Sequence, residues 1–151
     1  MTELVTGVDI VKEQILVASG EPLSARQQDI RLTGHAIECR VNAETGRDFR
    51  PVTGQVEGLL LPGGPGVRVD TQLFVGYSLP AHYDSLVAKI MTHGQSRVEA
   101  IQRMQRALQE TVIEGLPSTL PLLREVLADP KFREGVVFTD YLASLDHRET
   151  A

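Results

Sequence analysis

The fold is decided by residues 34–44, which read Gly-His-Ala-Ile-Glu-Cys-Arg-Val-Asn-Ala-Glu. One face of this stretch carries His35, Ile37, Cys39, Val41 and Ala43, and the other carries Ala36, Glu38, Arg40, Asn42 and Glu44. Successive side chains of a strand point to opposite faces of a sheet, so the alternation predicts a strand with one polar face. Further strands are predicted at 55–61, 67–71 and 86–92, and their tight connections favour an antiparallel sheet.

Helices are predicted before and after these strands. Apolar residues spaced three and four apart predict an amphipathic helix within 2–19, with its cap at Thr6 or Asp9, and residues 21–33 form the loosest stretch. Ser96-Arg97-Val98-Glu99 is a capping box, which predicts a long helix with a buried stripe, ending at Gly115. The stripe comprises Val98, Ile101, Met104, Leu108 and Val112. With further helices over 118–128 and 140–145, the order predicts an α+β fold: a small antiparallel sheet with helices packed on one side.

Composition limits the classes of function. The 151 residues suit one domain, and the net charge of −5 argues against a nucleic-acid partner. Cys39 is the only cysteine, which excludes an intrachain disulfide and favours a reducing compartment. The four histidines lack ligand spacing, so no metal site is expected. Because neither a run of about 18 apolar residues nor a signal peptide is recognisable, we expect a cytoplasmic protein with no membrane partner.

Two polar groups are candidate sites. Side chains on one strand face are about 7 Å apart, close enough for the carboxylates of this face, Glu38 and Glu44, to hold the Arg40 guanidinium in a pose suited to an oxyanion or enolate. Spacing alone favours an ordinary solvated strand face. Residues 81–85, Ala-His-Tyr-Asp-Ser, are a second candidate, and an ordinary turn fits them equally. The glycine-rich segment 63–66 lacks a following Lys-Ser/Thr and leads into a strand, which predicts a plain turn.

The stretch at 34–44 closely resembles biotin carboxylase, which carboxylates biotin with ATP and bicarbonate. The resemblance continues in order through 2–9, 62–68, 76–77, 83–89, 107–108 and 138–142. It covers essentially the whole chain, and the separate biotin carboxylase subunit of bacterial acetyl-CoA carboxylase is the most similar form. It implies that 1–151 is the C-terminal domain of that enzyme, without the N-terminal and ATP-grasp domains.

The resemblance also implies roles for single residues. Arg40 is implied to be catalytic, facing the biotin ureido oxygen, with Glu38, Asn42, Tyr83 and Asp84 forming the wall of the biotin site. Phe138 and Thr139 are implied to lie at the edge of the ATP pocket, and Arg68, Pro65 and Asp84 in a homodimer contact. Pro65 stands where relatives often carry Phe, which implies a weaker dimer.

The implied ligands and partners belong to a larger enzyme. ATP, Mg²⁺, bicarbonate and biotin are expected in the complete enzyme, with none bound by this chain alone, and the isolated chain is expected to be inactive. The implied partners are the missing domains, the biotin carboxyl carrier protein and a second copy of the chain. Two alternatives stay open: a non-enzymatic dimerisation or binding module, and the same domain of a pyruvate, propionyl-CoA, methylcrotonyl-CoA or urea carboxylase.

Overall fold

The structure, a computed structural model, describes residues 1–45 and 48–146, and this part of the chain forms six α-helices and nine strands. The helices are α1 (Thr2–Thr6), α2 (Ile10–Ala18), α3 (Arg97–Glu110), α4 (Leu120–Ala128), α5 (Pro130–Glu134) and α6 (Tyr141–Asp146). The strands are β1 (His35–Asn42), β2 (Glu44–Thr45), β3 (Arg50–Pro51), β4 (Gly54–Gln55), β5 (Gly58–Leu60), β6 (Val67–Thr71), β7 (Ser78–Leu79), β8 (Leu86–Gly94) and β9 (Val112–Glu114). No helix of the described residues is long and apolar enough to cross a membrane.

The central element is a three-stranded antiparallel sheet in the order β1–β8–β6. Cys39, Ile90 and Val69 lie opposite one another across the three strands, and so do Arg40, Lys89 and Asp70 one residue further along. Because side chains alternate along a strand, the first row belongs to an apolar inner face and the second to a polar outer face. Three further pairs, β2–β3, β4–β7 and β5–β9, surround this sheet.

The hydrophobic core lies between the inner face of the sheet and α3. That helix contributes its buried stripe of Ala100, Ile101, Met104, Ala107 and Leu108. The buried Thr92 hydroxyl donates a hydrogen bond to the Ala100 carbonyl oxygen at 2.9 Å, so it is not left unpaired in the core. α4 packs against α3 and adds the buried side chains of Leu120 and Leu127. The predicted α+β class, with helices packed on one face of a small antiparallel sheet, is confirmed.

The amphipathic helix predicted within 2–19 begins at Asp9, one of its two expected caps, and Gly7 separates it from the short helix α1, which the spacing did not predict. Gly7 adopts the left-handed conformation with φ of 73° and ends α1. α2 then starts from Asp9, whose side chain accepts the Lys12 backbone N–H at 2.9 Å. Neither helix has a buried residue, and Val11 and Ile15 are each 65% exposed. The described chain therefore leaves uncovered the apolar face that the spacing predicts.

The long helix α3 is shorter than predicted. Its interior stripe is confirmed, whereas Val98 is 58% exposed and Val112 lies in β9, opposite Leu60 of β5. The Ser96 hydroxyl caps the helix as predicted by accepting the Glu99 N–H at 3.2 Å. The Glu99 carboxylate accepts the N–H of Gln95 at 2.7 Å, one residue earlier than a capping box requires.

One predicted strand was wrong, and one further helix was not predicted. Residues 55–61 form parts of β4 and β5, which pair with different strands, rather than one strand. The sequence pattern did not predict α5, because Pro130 is also a signal for the end of the preceding helix. Pro130 instead occupies the first turn of α5, where a missing N–H costs nothing, and Asp129 caps that turn by accepting from Lys131.

Candidate functional site

Arg40 lies on the outer face of the central sheet, opposite to the core. Its neighbours along β1, Cys39 and Val41, are buried, whereas Arg40 itself is exposed. Within the described part of the chain its guanidinium makes no hydrogen bond and no ion pair. The Arg40 guanidinium is permanently charged and planar, and its N–H groups have no partner among the described residues. They are therefore available to bind an anion.

The predicted clamp of Arg40 between two carboxylates is wrong. The Glu38 carboxylate lies 3.7 Å from the Met1 amino nitrogen instead. The register of β1 against β8 shifts between Val41 and Asn42, and β1 ends at Asn42, so Glu44 does not continue the alternation. Glu44 is 8% exposed and belongs to β2, opposite Pro51. A bulge of this kind re-aims the side chains that follow it.

A second cation stands beside Arg40. Lys89 of β8 is its direct cross-strand partner, and within the described residues Lys89 has no ion pair either. Asp70, on the far side of Lys89, is bound to Arg68. Sequence reasoning missed Lys89 as a site residue. The available signal was a single charge inside the apolar run 86–92, but only the strand register brings it to Arg40.

The Tyr83–Asp84 segment joins the same end of the sheet, because Leu86, which follows it, lies opposite Asn42. Asp84 closes the turn by accepting the Leu86 N–H at 2.8 Å, and Tyr83 is 79% exposed. The structure therefore places this segment at the carboxyl end of the strand that carries Arg40. A small cavity of about 120 Å³ lies behind it, lined in part by Thr53, Leu79 and Ser85.

A buried polar cluster connects the two features. The Glu44 Oε1 oxygen accepts hydrogen bonds from Asn42 Nδ2 at 2.9 Å and from the Ser85 hydroxyl at 2.5 Å. The Asn42 backbone is bound in turn to Thr119, whose hydroxyl accepts from the Asn42 N–H at 3.0 Å. Asn42 is thus the one residue of the expected wall whose side-chain amide donates to Glu44. Sequence reasoning did not single out Glu44 and Ser85 as a pair, since 41 residues separate them.

Of the three residues predicted for a dimer contact, Asp84 directly precedes Ser85 of this cluster, whereas Arg68 and Pro65 belong to β6 and to the turn before it. Arg68, on β6, binds Asp70 in a two-pronged contact of 2.9 and 3.1 Å and reaches Glu3 of α1 at 3.3 Å. These partners raise the pKa of the Arg68 guanidinium, the hydrogen bonds to Asp70 most of all. Pro65 is exposed in the turn before β6, and that turn leads into a strand, as predicted.

The predicted edge of an ATP pocket is in a separate region. Phe138 is 80% exposed, Thr139 is also exposed, and both lie between α5 and α6. A shallow cavity of about 260 Å³ is present there, lined by Lys131, Val136, Val137, Phe138, Asp140 and Tyr141. None of these residues belongs to the strands of the central sheet.

Metal and thiol chemistry have no support from the described residues. Residues 1–45 and 48–146 contain no group of three or more His, Cys, Asp or Glu side chains placed to hold a metal ion. Cys39 is 5% exposed, and burial, with a smaller contribution from the Glu38 charge, raises the pKa of its thiol to about 12. The thiol is consequently protonated and a poor nucleophile at neutral pH.

Comparison with known proteins gives a consistent result. Residues 38–144 match the family described as the biotin carboxylase C-terminal domain. The chain is 52% identical to biotin carboxylase of Allochromatium vinosum over 145 residues, which are 96% of the chain and 32% of that protein. It is 48% identical to a pyruvate carboxylase subunit of Methanothermobacter thermautotrophicus over 143 residues, 94% of the chain and 29% of that protein.

Solved structures of biotin carboxylase domains are also similar to this chain. The biotin carboxylase domain dimer of Hydrogenobacter thermophilus 2-oxoglutarate carboxylase, in complex with MgADP, ADP and bicarbonate, is similar with a TM-score of 0.92 and 43% identity. The match covers 96% of this chain and 32% of that one. The biotin carboxylase subunit of a pyruvate carboxylase has a TM-score of 0.93 and 41% identity, over 96% of this chain and 32% of that one. The chain spans about a third of the length of the curated relatives that it matches.

Proposed function

Because this chain belongs to the biotin carboxylase C-terminal domain family, we propose that it supplies the biotin side of the active site in an ATP-dependent biotin carboxylase. The reaction carboxylates biotin on its carrier protein with ATP and bicarbonate. The observation that carries this proposal is the exposed Arg40, whose guanidinium has no partner among the described residues. A charged group left unpaired on an otherwise ordered sheet is expected at a functional site.

The chemistry explains why an arginine serves here. Biotin must lose its N1 proton before it attacks CO2, and negative charge then develops on the ureido oxygen. Arg40 donates hydrogen bonds from a rigid cation to that oxygen, so the enolate-like state is stabilised more than neutral biotin. Lys89 adds a second positive charge beside it on the same face. Tyr83 and Asp84, at the carboxyl end of this strand, supply part of the wall around the bound biotin.

The other substrates are assigned to the complete enzyme. ATP, Mg²⁺ and bicarbonate are held, in this proposal, by the N-terminal and ATP-grasp domains, with Phe138 and Thr139 at the edge of the ATP pocket. The two-thirds of the relatives' length that this chain does not match leave room for those domains.

Three partners are proposed for this chain: the other domains of the enzyme, the carrier protein and a second copy of the chain. Residues 1–34 include no buried side chain, and the exposed apolar face of α2 is a surface that another domain covers in this proposal. The carrier protein is the second partner, since it delivers biotin to Arg40. A second copy of the chain is the third, with Arg68, Pro65 and Asp84 in the contact, as the dimer of the 2-oxoglutarate carboxylase domain supports. Sedimentation at micromolar concentration tests this pairing.

The acceptor of the carboxyl group is proposed to be acetyl-CoA, in the first half-reaction of fatty acid synthesis. Similarity to separate biotin carboxylases supports this, at 52% and 49% identity for two of them. Pyruvate is the second candidate, because a pyruvate carboxylase subunit is 48% identical. Supplying the carboxylated carrier to each type of carboxyltransferase separates the two.

The test uses a complete enzyme made by joining this chain to the part of the Allochromatium vinosum biotin carboxylase that it does not match. Arg40→Ala is expected to lower biotin carboxylation by about 10² to 10³-fold, the effect of losing one oxyanion donor. Bicarbonate-dependent ATP turnover without biotin should change far less. Arg40→Lys, which keeps the charge but not the fork, is the matched control and should recover part of the loss. Equal loss of both activities would remove the ureido role from Arg40.

A further inference from the structure

We infer that Glu44 is a positioning residue, whose buried carboxylate fixes the Tyr83–Asp84 segment against the strand that carries Arg40. This inference rests on the proposed function, since it assigns a role within that site. Glu44 is only 8% exposed and its carboxylate is bound by Asn42 and Ser85. It acts through Asn42 and Ser85, which belong to the two parts of the site.

The geometry supplies the first argument. One carboxylate oxygen, Oε1 of Glu44, receives both the Asn42 amide, at the end of β1, and the Ser85 hydroxyl, directly after Asp84. The contact is reinforced by the main chain, because the Ala43 N–H donates to the Ser85 carbonyl at 2.8 Å. Arg40 is two residues before Asn42, and Asp84 is one residue before Ser85. A displacement at either bond therefore moves a site residue relative to the other.

Burial supplies the second argument. Glu44 is 8% and Ser85 is 9% exposed, so the two groups exchange hydrogen bonds with little competition from water. Hydrogen bonds to a charged acceptor are about twice as strong as neutral ones, and losing that acceptor leaves buried donors unsatisfied. The Glu44 carboxylate thus keeps the end of β1 and the Tyr83–Asp84 segment in a fixed relative position, which an exposed turn alone would not do.

The third argument comes from the other contacts of Asn42. Its backbone N–H donates to the Thr119 hydroxyl at 3.0 Å, and its carbonyl accepts the Thr119 N–H at 3.0 Å. Asn42 is therefore fixed from the α4 side, and Glu44 transmits that fixed position to Ser85. The buried contacts of Asn42 thus fix Glu44, and Glu44 fixes the exposed Tyr83–Asp84 segment, as expected for a positioning residue.

The first test uses the 151-residue chain and amide hydrogen exchange. Glu44→Ala should speed exchange of the Ala43 amide by about tenfold, the ratio that corresponds to one hydrogen bond to a charged group. Glu44→Gln keeps one acceptor oxygen and should give a smaller increase. Ser85→Ala removes one donor only and serves if Glu44→Ala does not fold. Glu21→Gln, the same change at an exposed residue, should have no effect. Unchanged exchange at Ala43, or equal acceleration at the Met104 and Leu108 amides, would overturn the inference.

The second test uses the joined enzyme described above. Glu44→Ala should raise the KM for biotin several-fold and lower kcat, while the KM for ATP stays the same, and Glu44→Gln should restore part of the loss. A residue that only stabilised the fold would lower Tm without this split between substrates. Wild-type biotin kinetics in Glu44→Ala would refute the positioning role and leave the proposed function intact. If the joined enzyme with the unaltered chain does not carboxylate biotin, the proposed function fails, and the exchange result alone decides the role of Glu44.

Discussion

The placement of two like charges side by side is the main residue-scale finding. Arg40 and Lys89 are direct cross-strand partners, and no carboxylate of the described residues forms an ion pair with either. Like charges in this position destabilise a sheet by about 0.2–1 kcal/mol. The proposed site, which binds developing negative charge, benefits from the same arrangement, so the proposed function opposes stability at this position.

Removing one of these charges should therefore stabilise the chain. Asp70, opposite Lys89 on β6, is already paired with Arg68, so the repulsion from Arg40 dominates at Lys89. We expect Lys89→Gln to raise the free energy of unfolding by up to about 1 kcal/mol at low ionic strength, and the gain to shrink in 1 M salt as screening increases. Urea unfolding at both salt concentrations measures this. Lys89→Arg keeps the charge and should show no gain. A gain that is insensitive to salt would point to side-chain packing instead of charge.

Cys39 gives a prediction on pH. Its folded-state pKa of about 12 lies above the ordinary thiol value, so the folded state retains a proton that the unfolded state releases. The contribution of the thiol to stability is complete below about pH 8.5 and is lost as the pH rises toward 12, by up to about 1.4 kcal/mol for each pH unit. Urea unfolding between pH 8 and 10 should show a steeper loss for the wild-type chain than for Cys39→Ala. Parallel curves would contradict this.

The residue alternation predicted the exposure of Arg40 and the burial of Cys39 but not the partners of either carboxylate. Glu38 and Glu44 looked equivalent in the strand pattern. The register shift after Val41 separates them, and it depends on how β8 pairs with β1, some 45 residues away. Lys89 was missed for the same reason. Local periodicity identifies the face of a strand, whereas register is fixed by tertiary packing.

At the scale of elements, the start of α3 offers a test of the capping interaction. Ser96→Ala removes the acceptor of the Glu99 N–H and should lower the free energy of unfolding by about 1 kcal/mol. Urea unfolding of the chain measures the change. Ser78→Ala alters an exposed serine of β7 and should stay within the error of the wild type. A loss of the same size in both variants would show that the cap is not responsible.

The elements that could be predicted are those with a sustained period or a clear cap. β1, β6 and the interior of α3 are of this kind, since alternation or a 3.6-residue stripe runs through each, and β8 is a sustained apolar run. Short helices were missed where the sequence signal is brief or fits two structures. The five residues of α1 are too few to show an apolar period, and Pro130 both follows one helix and begins the next. Only the backbone path distinguishes these cases.

At the scale of the whole molecule, the chain holds one half of the proposed site. The outer face of the sheet carries Arg40 and Lys89, the Tyr83–Asp84 segment lies at its edge, and Phe138 and Thr139 lie between α5 and α6. The chain exposes 9706 Å², compared with about 7,600 Å² for a compact monomer of 16.6 kDa. The excess is consistent with faces that other domains cover in the proposed enzyme.

The isolated chain is therefore expected to fold but not to react. Its core and helix caps are built from its own residues, whereas the phosphate, metal and base groups of the reaction are assigned to the domains that the chain does not match. Loss of a complete metal and base apparatus removes many orders of magnitude in rate. Calorimetry should detect no micromolar binding of MgATP to the 151-residue chain, and ATP hydrolysis with free biotin and bicarbonate should equal the background. The joined enzyme is the positive control. Micromolar MgATP binding by the chain alone would place nucleotide-binding groups within it and overturn this division of labour.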